Sequence, residues 1–319
     1  MKKGLAILVV TLLGVGVSVA GAELAITVLD VDPGVQALGI GGAAVSLQGS
    51  PETLYYNAAG LATLSGASFS SSYVSHLGLA SYSAFGLAFR NWGIGFLTLG
   101  AGDISGYDAS GGATGTLSYG SNAFLFGFGI RPSDLAFLPK LPFDFALGGR
   151  LKYVSVASGT SSGSGFAVDL AYRMSFPDLR LGPLTLANLG LGITASNLLG
   201  SIGFTGGHSE TMRMGLRVGV SAEMLKALLV ATDFDLAGRF HLGVQYRVTP
   251  VFAIRGGMMT QGGGVAITLG LGASVAGFVI DYAFVTHPQL GASHRVALTL
   301  DFSTLDLSAI GRSLGRLIR

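Results

Sequence analysis

Phe145-Ala146-Leu147-Gly148-Gly149-Arg150-Leu151-Lys152-Tyr153 is the stretch whose reading decides the fold. Phe145, Leu147, Leu151 and Tyr153 fall on one parity; Ala146, Gly148, Arg150 and Lys152 fall on the other. Successive side chains of a strand point to opposite faces, so every charge here lies on one side. The pattern recurs downstream. Phe166, Val168, Leu170 and Tyr172 alternate with Asp169 and Arg173. Met214, Leu216, Val218 and Val220 alternate with Arg213 and Arg217, and Phe240, Leu242, Val244 and Tyr246 with Arg239, His241, Gln245 and Arg247. The apolar faces are rich enough, in enough successive strands, to coat a cylinder rather than one side of a sandwich.

Composition points the same way. The chain is 50% hydrophobic and only 11% charged, with a mean hydropathy of +0.60. Past the first residues, however, no uninterrupted apolar run reaches the roughly 20 residues that a spanning helix needs. A transmembrane β-barrel reconciles the two, because its apolar residues are spread one in two along many strands. The 51 glycines suit a curved, crowded sheet. The absence of cysteine excludes a disulfide framework and a thiolate metal site, and a net charge of +2 is too small to imply nucleic acid. The alternation predicts fourteen antiparallel strands, at 67–76, 80–90, 92–101, 117–131, 143–156, 165–175, 186–197, 210–222, 226–236, 239–248, 251–258, 264–274, 277–285 and 293–302. The polar, Gly/Ser/Thr-rich stretches 102–116, 157–164 and 198–209 read as loops at the outer end.

One segment stands apart from the alternation: Val35 to Leu64, VQALGIGGAAVSLQGSPETLYYNAAGLATL. It opens on Gly39, Gly41 and Gly42. Ser50-Pro51-Glu52 follows, a helix start with a capping hydroxyl and a proline whose missing N–H costs nothing there. It reads as a hatch or plug inside the barrel. Two pieces of it, Gln36-Ala37-Leu38-Gly39-Ile40-Gly41-Gly42-Ala43 and Tyr56-Asn57-Ala58-Ala59-Gly60-Leu61-Ala62, resemble the N-terminal signature of outer-membrane proteins related to the long-chain fatty-acid transporters (FadL-like). The resemblance is greatest to the PorV/PorQ-type branch, with Ala58 where that signature has proline. The resemblance implies a fourteen-stranded barrel and passive transport of hydrophobic or amphipathic, fatty-acid-like molecules. The PorV-type relatives imply an alternative, a non-enzymatic binding or scaffold barrel that serves protein secretion.

The domain reading is therefore a signal peptide at 1–22, a hatch at 23–66, a barrel at 67–302 and an amphipathic or frayed tail at 303–319. Lys2 and Lys3, the apolar Leu5 to Val17 and the small Ala20-Gly21-Ala22 give the secretory signal its three parts; a barrel exported through a cleaved signal is expected in a bacterial outer membrane. In the tail Leu307, Ile310, Leu314, Leu317 and Ile318 recur near helical spacing.

No catalytic constellation emerges. His76, His208, His241, His287 and His294 are scattered without ligand spacing. The expectation is a protein that is not an enzyme and needs no cofactor or metal, with outer-membrane lipid and a hydrophobic or amphipathic small molecule as partners, and a secretion-machinery protein under the alternative. The informative residues are the inward bases Arg150, Lys152, Arg213, Arg217, Arg239, Arg247, Arg255 and Arg295, with Gly39, Gly41, Gly42, Asn57 and Gly60 for the hatch. A base facing lipid at mid-depth would cost roughly 2–4 kcal/mol, so these are held to the lumen face. Two roles are open for them: bracing barrel and hatch, or meeting an anionic ligand opposite the small apolar wall of the earlier strands. Under the second role Arg213 and Arg217, of one parity on one strand, are the chosen pair.

Overall fold

The computed structural model describes residues 27–76, 80–135, 144–261, 263–289 and 291–305. The expected signal peptide and most of the expected tail, from 306 on, lie outside the described residues. Fourteen long antiparallel strands close on themselves. They are β1 (Ser68–His76), β2 (Ala80–Phe89), β3 (Trp92–Tyr107), β4 (Ala113–Ile130), β5 (Asp144–Ser158), β6 (Ser161–Ser175), β7 (Leu184–Phe204), β8 (Gly215–Met224), β9 (Leu228–Asp235), β10 (Phe240–Arg247), β11 (Phe252–Gln261), β12 (Gly264–Val275), β13 (Phe278–His287) and β14 (Gly291–Asp301). Two three-residue pieces, Leu179–Leu181 and Ser209–Thr211, extend the hairpins at either end of β7. Each strand pairs with the next, and β14 pairs with β1 from Ser68↔Asp301 to Ser75↔His294, so the sheet closes on itself.

The parity read from the sequence is the parity of the wall. Phe126, Leu151, Phe166 and Leu170 are exposed on the outer face, while Lys152, Asp169 and Arg173 are buried inside. Large exposed apolar side chains continue round the cylinder through Ile267, Leu269, Ile280 and Val296. A monomer in water does not carry a continuous apolar belt of that kind; hydrocarbon is its matching solvent. Row contacts add to the belt, as in Phe96 with Phe124 and Tyr153 with Phe166, whose ring centroids are 4.8 and 5.0 Å apart.

One expectation is corrected. The stretches 102–116, 157–164 and 198–209 are largely strand: β3 runs to Tyr107, β4 starts at Ala113, β5 and β6 continue to Ser158 and from Ser161, and β7 reaches Phe204. The barrel therefore stands tall on the β3–β7 side. Both faces of the β3–β6 extensions meet water, so no alternation of apolar and polar residues marks them; the β7 extension instead keeps an inner face, with Ile202 buried in the main apolar cluster.

The non-strand segment 27–64 lies against the inner wall. It holds two short helices, α1 (Val35–Gly39) and α2 (Thr53–Tyr56), and 3-10 turns at Val28–Asp30 and Ala58–Thr63. The chain begins to turn at Ser50, as the sequence suggests: Thr53 N–H donates to Ser50 O at 3.1 Å and Glu52 N–H to Ser50 Oγ at 3.3 Å. Val28, Leu54 and Leu61 pack with Leu97, Leu125 and Val154 of the wall in the main apolar cluster. Two glycine pairs let backbone touch backbone. A Cβ on Gly243 or Gly257, cross-strand partners on β10 and β11, would collide with the Ile40 and Gly41 backbone. On the other side a Cβ on Gly129 or Gly148, partners on β4 and β5, would collide with Ala58 and Ala59.

Candidate functional site: the lumen and a break in its wall

Elements as short as α1 and α2 cannot satisfy their own end groups, so segment 27–64 must find partners elsewhere. The inner wall supplies them. Asp233 Oδ2 accepts from Ala44 N–H at 2.8 Å and Val45 N–H at 3.1 Å, and the Arg217 guanidinium beside it, 3.2 Å away, donates to Gly42 O at 2.6 Å. His241 Nδ1 bonds Gly41 O at 2.7 Å, and Thr268 Oγ1 accepts from Gly41 N–H at 2.9 Å. Arg150 donates to Leu54 O at 2.8 Å and also to Tyr55 O, Arg173 to Ser46 O at 3.1 Å, and Arg295 to Asp32 O at 2.8 Å. Asn57 donates to Val45 O at 2.7 Å and to Tyr172 O at 3.0 Å, while its Oδ1 caps Ala59 N–H at 3.1 Å.

The eight bases singled out in the sequence thus separate into three groups. Arg150, Arg217 and Arg295 hold carbonyls of segment 27–64. Lys152 and Arg255 sit in buried ion clusters of the wall, with Asp169 at 2.6 Å and Asp281 at 2.6 Å. Arg213, Arg239 and Arg247 are exposed; Arg239 pairs with Asp235 and Arg247 with Glu223 at the strand ends. Arg213 is the clearest departure, because β8 begins only at Gly215, so Arg213 precedes the strand and does not join Arg217 in the lumen. Among the hatch residues, Gly41 and Gly42 have φ of +68° and +75° and carry the turn that aims Gly41 and Gly42 at His241 and Arg217. Gly39 packs on the Arg255 side chain and Gly60 on Thr53. His241, Arg173 and Thr268 belong to the same set; only inward parity marked the first two in the sequence, and nothing marked Thr268.

The second feature is a break in the wall. From β6 to β7 the register runs Phe166↔Ser201, Val168↔Leu198 and Leu170↔Ala195, so β7 carries extra residues between these rungs. Asn197 and Leu199 take positive φ, 58° and 55°, to accommodate them. On the other side the ladder from β7 to β8 stops at Ser196↔Gly215 and resumes only as Ser201↔Thr211. Residues 212–214 are in no strand. Val168 is the partner of Leu151, itself the partner of Phe126, so the break lies level with the exposed belt. Leu199 is 97% exposed there. A cleft of about 650 Å³ opens at the break, lined by Asn197 to Ser201, Thr211, Met212 and Met214. Its back is Met212, which is buried and packs in the inner apolar cluster with Ala167 and Ile202. Met212 thus belongs both to the lining of the cleft and to the inner apolar cluster.

The sequence reading placed a strand end at 197 and a strand start at 210, and so ran past this feature. The signal available was an Asn-Leu-Leu-Gly run, in which alternation lapses and an Asn tolerates positive φ.

No family model matches the chain, and no curated protein matches it. Solved structures do. The toluene transporter TbuX of Ralstonia pickettii superposes with a TM-score of 0.52 at 13% identity, over 84% of this chain and 97% of that one. The toluene transporter TodX of Pseudomonas putida gives a TM-score of 0.50 at 11% identity, over 86% of this chain and 98% of its own. The chain accordingly has a closed fourteen-strand barrel fold, shared with these two structures.

Proposed function

We propose that the protein is a passive outer-membrane channel for hydrophobic small molecules, in which segment 27–64 acts as the hatch and the cleft beside β7 joins the apolar part of the lumen to the bilayer. The observation that carries this reading is the break itself. Irregular backbone at membrane depth is tolerated only where it lines a cavity or is buried in protein. Here it surrounds a cleft of about 650 Å³, within the range of small-molecule sites, backed by Met212 and flanked by Leu198, Leu199 and Met214. The shared fold with the two toluene transporters supports the same class of cargo.

The ligand is best read as neutral. The inward bases that an anionic head would need are bound to hatch carbonyls or to carboxylates, so a fatty-acid-like molecule would have to displace a bond already made. Substrate moves down its gradient; no group in the lumen supplies energy. The test compares entry of labelled toluene and of a polar solute of similar size into cells that express or lack the protein. Faster toluene entry with unchanged polar flux is expected. Equal gain for both solutes would mean an open porin. No gain for either, together with a tightly co-purifying secretion component, would favour the scaffold alternative.

A further inference from the structure

The broken ladder at β7 and β8 is bridged by one backbone bond, Met212 N–H to Gly200 O, and by one side chain. Asn197 Nδ2 donates to Arg213 O at 2.9 Å, across the stretch where the ladder between the strands is interrupted. The same residue is fixed from behind. Its N–H donates to Asp169 Oδ1 at 2.9 Å, and its Oδ1 accepts from Lys152 Nζ, which also pairs with Asp169 at 2.6 Å. Asp169 in turn is held by Arg150, the donor to Leu54 O of the hatch.

We infer that Asn197 is the latch of the wall opening, the positioning residue that keeps residues 212–214 against β7 and Met212 between lumen and cleft. This rests on the transport reading above for its purpose, though not for its test. The argument is one of count. Between Ser196↔Gly215 and Ser201↔Thr211 the two strands are joined by Met212 N–H to Gly200 O, at 2.9 Å, and by the Asn197 amide. Loss of the amide leaves a single bond over the width of the cleft. The donor half of the amide makes the latch and the acceptor half fixes it to Lys152, so the two functions separate by substitution. Asn197→Asp keeps an acceptor and removes the donor; Asn197→Ala removes both.

Methionine oxidation reads the latch without any cargo. Met212 is 8% exposed and Met214 is 62% exposed, so their relative oxidation by peroxide in detergent-extracted protein is an internal ratio. Both variants are expected to raise the Met212 rate relative to Met214 by about five- to tenfold, the effect of one lost hydrogen bond on a local opening. Heat-modifiable gel mobility confirms that the barrel is intact, and if Asn197→Ala does not fold, Asn197→Asp carries the test. An unchanged ratio in the folded variant would overturn the inference.

A staple supplies the functional arm. A Cβ on Gly200 lies 2.9 Å from Met212 Cβ, close to disulfide reach after a small shift, and the chain has no other cysteine. In Gly200→Cys/Met212→Cys the oxidised form is expected to lose most toluene entry and the reduced form of the same protein to regain it. If unstapled protein carries toluene and the staple changes nothing, the latch is refuted while the transport reading stands. If unstapled protein carries none, the transport reading falls and the oxidation ratio still decides the latch.

Discussion

Replacing Asp233 by alanine tests how firmly segment 27–64 is seated on the inner wall. Asp233 Oδ2 accepts from Ala44 N–H and Val45 N–H at 2.8 and 3.1 Å and faces the Arg217 guanidinium at 3.2 Å. Its side chain is fully buried. The substitution leaves two amide donors without an acceptor, at about 1–3 kcal/mol each. It also strips a buried cation of its partner, a change that typically costs about 3–5 kcal/mol. These costs are not additive, because Arg217 keeps its bond to Gly42 O and the freed amides lie beside it. A net loss of about 4 kcal/mol is a fair central value, and it corresponds to about a thousandfold shift in the equilibrium between the seated and unseated segment. Hydrogen exchange at Ala44 and Val45 measures that shift residue by residue, since protection reports local opening. Protection at both amides should fall by about three orders of magnitude while the amides of β2 to β5 keep theirs. Equal protection in the variant and the parent would show that the carboxylate is not what seats the segment, and would refute the reasoning.

Three other expectations follow from the same contacts. Deletion of Val35–Leu64 should raise single-channel conductance in planar bilayers, and a conductance that is unchanged and already large would place the segment outside the conducting path. Gly148→Val drives a side chain into the Ala58–Ala59 backbone, so it should unseat that end of segment 27–64 and expose Tyr55-Tyr56 to chymotrypsin, whereas Gly120→Val, where nothing lies within 4 Å, should be silent. Arg217→Gln should lower the melting temperature by several degrees, through the lost pairing with Asp233 and Gly42, and Arg213→Gln should leave it within a degree; equal effects would mean that both arginines serve one site.

The sequence by itself determined the wall. Period-two alternation, with charge confined to one parity where charge occurs, is a local property that recurs along the chain, and it is enough to specify a cylinder with an apolar outside. Strand number and most boundaries followed, and so did the inward parity of Arg150, Lys152, Asp169, Arg217 and Arg255. Val35–Leu64 was also legible as a foreign element, because its glycines and its Ser-Pro-Glu turn break the pattern. What those inward groups do was decided only in three dimensions. A base on the lumen face looks the same in sequence whether it awaits a ligand or holds a carbonyl, and the carbonyls that claim Arg150, Arg217 and Arg295 lie 96, 175 and 263 residues away in the chain. The tall ends of β3 to β6 were hidden because strands solvated on both faces need no alternation. The break beside β7 was hidden for a related reason: register is set by the two neighbouring strands together, so extra residues in one strand show as a gap only when its partners are laid beside it.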